Sequence, residues 1–156
     1  MNDVSAERSE VRKVLDELAE TCTDGEYGFS KCAEHASSDE LKSFFARRAR
    51  ECGTAAAELR ELAAQCGFEP ATGGSALGAL HRGWVAARGA VTFNDDKAML
   101  NECERGEDAA LARYRRALGH NLPPDVEAMV RRQYEGAQRN HDEVKRRRDS
   151  MRKAVA

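Results

Sequence analysis

The sequence is poor in residues that interrupt helices and in residues that favour strands. It has three prolines, 12 glycines and 6% aromatic residues in 156 positions. No stretch shows the apolar and polar alternation that is typical of a strand. These shortages argue against a strand-based fold and predict an all-α protein built largely from Ala, Leu, Glu and Arg. A chain of this length fits a single domain over residues 1–156.

An excess of charge of one sign is also lacking. Charged residues make up 33% of the chain, but the formal net charge is only −2. This balance argues against a nucleic-acid-binding protein. The one basic concentration, KRRRDSMRK near the C-terminus, is interpreted as the solvated end of a helix. Weak contact with a phosphate backbone is the alternative.

Long apolar runs are absent as well. No run approaches the roughly 20 residues that a membrane span needs, and the first residues, MNDVSAERSE, are polar. We therefore expect a cytoplasmic protein without a membrane partner. The five cysteines are odd in number and lack disulfide-framework spacing. They are predicted to be core residues in a reducing compartment, with a soft-metal or redox role as the alternative.

Apolar residues at three- and four-residue spacing predict four long helices and one short helix. Ser37, with Glu40 three residues later, predicts a capping box at the start of the second helix, and Gly67 predicts its end. Asn94 is expected to cap the third long helix. The predicted bounds, in chain order, are about 4–36, 39–66, 75–91, 95–119 and 123–152.

An internal repeat relates the first two long helices to the last two. The pattern Cys-x-x-Gly-Glu occurs at residues 22–26 and again at residues 103–107. Two related helical hairpins joined by a long segment predict a bundle with one long crossover, as in ferritin-like folds. The predicted fold is therefore an all-α, ferritin-like four-helix bundle whose crossover contains the short helix.

The repeat also suggests a metal site. Glu26 and Glu107 occupy matching positions, and we expect them to face each other at mid-height in the core. Di-metal carboxylate bundles combine one Glu from each of two helices with Glu-x-x-His from each of the other two. The second and fourth helices carry only parts of that motif. The candidate ligands for iron or manganese are Glu26, Glu51, Glu107, Glu135 and His141.

A structural polar layer is the alternative, and the sequence favours it. Arg48 falls on the apolar stripe of the second helix, where its guanidinium could pair with Glu26 without any cation. Both interpretations agree with the rule that buried ionisable groups are paired or ligated. The predicted layer consists of Glu26, Arg48, Glu107, Gln133 and Gln138.

Four segments together resemble a known family: TCTDGEYGF, LGALHRGW, ECERGEDAALARY and LPPDVEAMVRRQYEGAQRNHDEV. The chain resembles, roughly from Leu15 to Asp149, a bacterial ferritin-like four-helix-bundle family catalogued only as a domain of unknown function. The resemblance implies a ferritin-like bundle in a bacterial cytoplasm, with no established activity, among relatives that bind non-haem iron. The chain departs from the Glu-x-x-His pattern of those relatives in its second and fourth helices.

The sequence shows no signature of nucleophilic catalysis. It contains no Ser-centred glycine elbow, no phosphate-binding glycine loop and no His-x-x-x-His metal helix. The sequence therefore favours a non-catalytic bundle over an enzyme, acting as a scaffold or as a stress-related protein that self-associates into homo-oligomers. The alternative is a non-haem iron- or manganese-binding protein with a degenerate di-metal carboxylate site.

Overall fold

The fold consists of long helices. The structure, a computed structural model, describes residues 2–69 and 95–155, with the side chains of 3–69 and 95–151. In these ranges the chain forms α1 (Asn2–His35), α2 (Asp39–Gln65), α3 (Asp96–Leu118) and α4 (Pro124–Val155). The predicted all-α four-helix bundle is confirmed. The short helix predicted over 75–91 lies outside the described residues. The N-cap of α3 is Asp95, whose carboxylate accepts a hydrogen bond from the backbone N–H of Lys97 at 3.0 Å, so the cap predicted at Asn94 is wrong by one residue.

The turn between α1 and α2 is held by two adjacent serines. Ser38, rather than Ser37, is the N-cap of α2, and its hydroxyl accepts a hydrogen bond from the backbone N–H of Leu41 at 3.2 Å. Ser37 reaches α3 instead. Its backbone N–H donates to Asp96 Oδ1 at 3.0 Å, and its hydroxyl donates to the second oxygen of the same carboxylate. The predicted cap is wrong by one residue because neighbouring serines offer the same capping chemistry.

Contacts between the helices establish the direction of each helix and the path of the connection between the two hairpins. The turn before α2 contacts the start of α3 through Ser37 and Asp96, whereas α2 itself runs for 27 residues away from that turn, about 40 Å. The connection from α2 to α3 therefore links opposite ends of the bundle. This arrangement confirms the predicted single long crossover and excludes an up-down-up-down bundle.

Among the described residues, two separate apolar clusters form the core. The cluster nearer the start of α1 includes Val11, Leu15, Leu18, Leu59, Val126 and Val130. The cluster near the turn between α1 and α2 includes Phe29, Phe44, Phe45, Met99, Leu100 and Val144. Between them, at mid-height, lie the buried charged side chains of Arg48 and Glu107. We call this level the waist of the bundle, and it contains the candidate site.

The end of α2 is set by a glycine, as predicted. Cys66 is the C-cap, and Gly67 follows with a φ of 80°, a left-handed conformation that glycine adopts without a steric penalty. Across the described parts of the chain, none of the helices combines the length and the apolar character that a membrane span requires.

Candidate functional site at the waist

A buried ion pair joins α2 to α3 at the waist. The side chains of Arg48 and Glu107 are only 4% and 5% exposed, and Arg48 Nη2 donates a hydrogen bond to Glu107 Oε1 at 2.7 Å. Arg48 Nη1 contacts the carboxylate of Glu51. The guanidinium also lies over the ring of Phe29, with Cζ 4.9 Å from the ring centroid. The four side chains fix the position of α2 relative to α1 and α3.

One donor of this network has no acceptor. Arg48 Nε is buried and makes no hydrogen bond with any described residue. A buried donor without a partner costs about 1–3 kcal/mol, and more for a charged group. The network therefore has an unused hydrogen-bond donor at the waist.

Burial and charge act in opposite directions on the pair. Burial raises the pKa of Glu107, although the neighbouring Arg48 guanidinium lowers it. Burial lowers the pKa of Arg48, but the attraction of Glu107 and of its other neighbours outweighs this effect and leaves that pKa above its ordinary value. The guanidinium consequently stays charged at every physiological pH.

A cavity of about 1270 Å³ lies at the waist and is lined by all four helices. Arg48 and Glu107 are part of its wall, and so is Arg105, whose side chain is 69% exposed. The cavity therefore reaches the surface of the bundle. Much of the wall consists of small residues, among them Gly28, Gly106, Ala109, Ala110, Gly136 and Ala137.

Two of these glycines border open space. A Cβ atom built on Gly28 or on Gly106 would have no described heavy atom within 4 Å. Gly25 differs, because a Cβ there would lie 2.9 Å from Cys52 Sγ. Gly25 thus permits close packing of α1 on α2, whereas the partly buried Gly28 leaves room in the cavity and the exposed Gly106 lies at its edge.

A second polar group, centred on Tyr114 and Gln133, lies beside the cavity. The sequence analysis did not predict that these residues contact each other. Tyr114 Oη donates to Gln133 Oε1 at 2.8 Å and lies 3.2 Å from Cys22 Sγ. Gln133 Nε2 in turn donates to Glu58 Oε2 at 3.2 Å. Burial raises the pKa of Tyr114, so its hydroxyl stays a donor. The sequence held a signal for this group, since a tyrosine on an apolar stripe needs a partner for its hydroxyl.

The structure separates the two glutamates of the internal repeat. Glu107 is buried, whereas Glu26 is exposed, and a Cβ built on Gly53 would lie 3.0 Å from the carboxyl carbon of Glu26. Among the described residues, Arg48 pairs with Glu51 and Glu107 and not with Glu26. The expectation that Glu26 and Glu107 face each other in the core is therefore wrong.

Helix rotation explains this difference. On α1 the inward positions include Cys22 and Phe29, with Gly25 packed against α2. Glu26 follows Gly25 by one residue, a turn of about 100° around the helix axis, and so it points outward. On α3 the inward position is Glu107, and Gly106 is exposed. The two copies of the motif present different residues to the core.

The other predicted site residues lie in several places. Glu51 is 41% exposed while it contacts Arg48, Gln133 is partly buried, and both Glu135 and Gln138 are exposed on α4. Gln133 belongs to the group of Tyr114 and does not contact Arg48. Of the predicted polar layer, the structure brings together Arg48 and Glu107.

His141 lies in a different group of metal-type ligands. Ligand atoms of Glu104, Asp108 and His141 all lie within 4.8 Å of one another. His141 Nε2 is 2.7 Å from Asp108 Oδ1, and Arg148 contacts Glu104. Among the described residues, these three form the group of His, Cys, Asp or Glu side chains that is large and close enough to hold a metal ion. The predicted iron or manganese ligands other than His141 are not part of it.

Four of the five cysteines line the cavity: Cys22, Cys32, Cys52 and Cys103. Burial raises the pKa of Cys22 and raises that of Cys52 to about 12. The hydrogen bond to Cys32, together with burial, raises the pKa of Cys103 well above its ordinary value. The thiols of Cys22, Cys52 and Cys103 are therefore protonated at neutral pH and are weak nucleophiles.

Comparison with known proteins agrees with the resemblance seen in the sequence. Residues 10–120 match the family described as "Domain of unknown function (DUF2383)", whereas no curated protein matches the chain. The matched region contains α2, α3 and most of α1, and it includes both Arg48 and Glu107. Because the match covers more than half of the 156 residues, the chain belongs to this family of unknown function.

Proposed function

We propose that the protein is a non-catalytic four-helix bundle that binds a small organic ligand in the waist cavity. One observation carries the proposal: Arg48, whose buried Nε has no acceptor among the described residues, forms part of the cavity wall. Ligand sites in helical bundles lie between the helices and combine apolar walls with a few polar groups. A ligand oxygen at the waist would satisfy this donor.

The small residues of the wall support the same proposal. Glycine inside a helix is less favourable than alanine by about 1 kcal/mol. A Cβ at the partly buried Gly28 would meet no described atom within 4 Å, so close packing does not account for this glycine. It keeps open a space that a ligand could fill.

The charge of the wall indicates the class of ligand. Among the described residues, seven arginines and five acidic residues line the cavity, so positive charge is in excess in this part of the wall. The glycines, alanines and thiols supply apolar surface beside these charges. We therefore propose an amphipathic organic anion, with its apolar body against the small residues and its acidic oxygen near Arg48 Nε.

The protonation of the cavity thiols supports a binding role over covalent catalysis. A nucleophilic cysteine needs a lowered pKa, whereas burial raises the pKa of both Cys22 and Cys52. The buried Glu107 carboxylate is already paired with Arg48. Structural ion pairs perturb pKa values as catalytic groups do, and this pair has the geometry of a structural contact.

Titration with 1-anilinonaphthalene-8-sulfonate, an apolar dye with an anionic head, tests the proposal. We expect saturable binding to the folded protein by fluorescence and by calorimetry. Gly28→Leu should fill the cavity and weaken binding at least about ten-fold, equivalent to about 1.4 kcal/mol. Gly28→Ala is the matched control and should retain binding. Leucine favours a helix more than glycine does, so the thermal midpoint of the filled variant should not fall.

Two outcomes would overturn the binding proposal. The first is that the folded wild-type protein shows no saturable dye binding. The second is equal affinity in the wild type and in folded Gly28→Leu, because the dye would then bind outside the waist cavity.

Divalent-metal binding is a second candidate function, favoured by the group of Glu104, Asp108 and His141. Glu104 and Asp108 lie one helical turn apart on α3 and therefore share a face, and His141 approaches them from α4. One imidazole and two carboxylates form a donor set suited to manganese, iron or zinc. Arg148, which contacts Glu104, would compete with the cation.

Metal content after loading with Mn²⁺, Fe²⁺ or Zn²⁺ and dialysis tests this second candidate. We expect stoichiometric metal that is lost in His141→Ala and retained in Gln138→Ala, a control at an exposed position on the same helix. Glu26→Ala tests the ligand set that was predicted from the sequence. Loss of metal in both Glu26→Ala and His141→Ala would favour that set, which contains both residues, and absence of metal from the wild type would contradict both sets.

Several finer points stay predictions: ferritin-like and bacterial ancestry, a cytoplasmic location, a stress-related role and self-association. Among the described residues, Val4, at 71%, is the exposed large hydrophobic side chain, and it offers no broad apolar interface. Light scattering coupled to size exclusion would measure the oligomeric state. In the basic C-terminal segment, Arg147 and Arg148 contact acidic side chains of other helices, which argues against phosphate binding by these two residues.

A further inference from the structure

Two thiols meet between α1 and α3, where the waist cavity borders the second apolar cluster. The Sγ atoms of Cys32 and Cys103 are 3.7 Å apart, although the residues are 71 positions apart in the chain. A disulfide needs about 2 Å between its sulfurs, so side-chain rotation and a small helix shift would close the remaining gap. We propose that Cys32 and Cys103 are a modification site at which a hydroperoxide forms a reversible disulfide between α1 and α3.

The neighbours of the other thiols make this pair specific. Cys22 Sγ faces the hydroxyl of Tyr114 at 3.2 Å, and Cys52 Sγ packs against Gly25. Cys66 is the C-cap of α2, and it does not line the cavity. Cys32 and Cys103 are the two cysteines whose sulfurs contact each other, and all five cysteines lie within the described residues.

The waist cavity supplies the route for the oxidant. Both Cys32 and Cys103 line it, together with the exposed Arg105. Cys32 itself is only 2% exposed, so the cavity is its path to a small hydroperoxide. This inference requires access through the cavity and does not require that the cavity bind an organic anion.

The chemistry balances with one hydroperoxide for each disulfide. One thiolate attacks the peroxide oxygen, the O–O bond breaks, and the sulfur becomes a sulfenic acid while water leaves when the oxidant is H₂O₂. The second thiol then attacks that sulfur, an S–S bond forms and the S–O bond breaks. The displaced hydroxyl and the thiol proton leave together as a second water. Two thiols are oxidised and the peroxide is reduced. Dithiothreitol reverses the product.

The second step is intramolecular, because the two sulfurs are 3.7 Å apart. The sulfenic acid should therefore not accumulate.

The cross-link should stabilise the bundle. It closes a loop of 71 residues and restricts the unfolded chain. We expect the thermal midpoint of the oxidised monomer to rise by roughly 5–15 °C above that of the reduced protein. Addition of dithiothreitol should remove this increase.

Intact mass and peptide mapping after treatment with H₂O₂ test the inference. We expect the full-length monomer to lose two hydrogen atoms, and a cross-linked peptide pair should contain Cys32 and Cys103. Cys103→Ser should abolish the cross-link, whereas Cys66→Ser, the control, should retain it. Should Cys103→Ser fail to fold, differential alkylation of the wild-type protein before and after dithiothreitol gives the same assignment.

Three results would overturn the inference. They are a cross-link between other cysteines, sulfinic acid at Cys103 without a cross-link, and thiols that stay reduced in the folded protein at pH 9. Each would show that the contact between these sulfurs does not lead to a bond.

Discussion

Arg48 on α2 donates a hydrogen bond to Glu107 on α3 at 2.7 Å, and neither side chain exposes more than 5% of its surface. Among the described residues, Arg48 and Glu107 are the charged residues that are buried. Apolar clusters lie on both sides of them. The pair therefore joins the two helical hairpins at the level where the hydrophobic core is interrupted.

Removal of one partner should destabilise the bundle strongly. Glu107→Leu leaves the buried Arg48 with only the half-exposed Glu51, and loss of one partner from a buried pair costs about 3 kcal/mol or more. Glu26→Leu is the matched control. Its side chain is exposed, so a change within about 0.5 kcal/mol is expected. Urea unfolding gives both free energies.

Replacement of both partners should recover much of that loss. In Arg48→Met/Glu107→Leu no buried charge is left unpaired, and apolar replacement of a whole buried pair is often neutral or stabilising. The free energy of unfolding of the double variant should exceed that of Glu107→Leu. Additive losses would show that Arg48 and Glu107 act independently.

Glycine-to-alanine substitution should stabilise the protein at one position of α1 and destabilise it at another. Gly28→Ala should stabilise the protein by about 0.5–1 kcal/mol, because the new methyl group meets open space and alanine favours a helix. Gly25→Ala should destabilise it by about 1–3 kcal/mol, because its methyl group would lie 2.9 Å from Cys52 Sγ. The thermal midpoints of the two variants measure this contrast, and equal shifts would contradict the packing described for α1.

The free energy of unfolding should fall at alkaline pH. Burial raises the pKa of Cys52 from 9.0 to about 12. Between these values the unfolded thiol has released its proton and the native thiol still holds it, so the native state binds more protons and stability falls as the pH rises. One such thiol contributes up to about 1.4 kcal/mol per pH unit. Urea unfolding from pH 8 to pH 10.5 should show this slope, and Cys52→Ala should reduce it.

Tyr114→Phe should cost about 1–2 kcal/mol, because it leaves the Oε1 atom of Gln133 without the donor that Tyr114 supplies at 2.8 Å. Tyr134→Phe on α4 is the control, since this partly buried tyrosine is not part of that group. Equal losses in chemical unfolding would indicate that lost ring contacts, and not the hydrogen bond, account for the change.

The sequence predicted the fold well because the signals for it are periodic. Apolar spacing located the four long helices, and the repeat of residues 22–26 at residues 103–107 indicated two hairpins and one long crossover. Helical register is less certain, since steps of three and of four residues both fit a core stripe. In the structure, Gly25 is the residue of the first motif copy that faces the interior, whereas in the second copy it is Glu107. The sequence could not predict this difference in helix rotation.

The candidate site was predicted only in part for a related reason. A buried arginine on an apolar stripe needs an acid, so the sequence placed Arg48 and Glu107 in one polar layer, but it paired Arg48 with Glu26 and not with Glu107. The cavity could not be predicted, because its volume depends on how far four helices stand apart. Glu104 and Asp108 carried a usable signal, their spacing of one turn, but the distance to His141 depends on how α4 packs on α3.

The Nε–H resonance of Arg48 in a ¹⁵N-resolved NMR spectrum tests most directly whether the waist is a binding site. Addition of the anionic dye should shift this resonance in the wild type and in Gly28→Ala, and should leave it unchanged in Gly28→Leu. The shift should saturate with the same affinity as the fluorescence. A saturable fluorescence change with an unmoved Arg48 resonance would contradict the account, because the dye would then bind away from the buried donor.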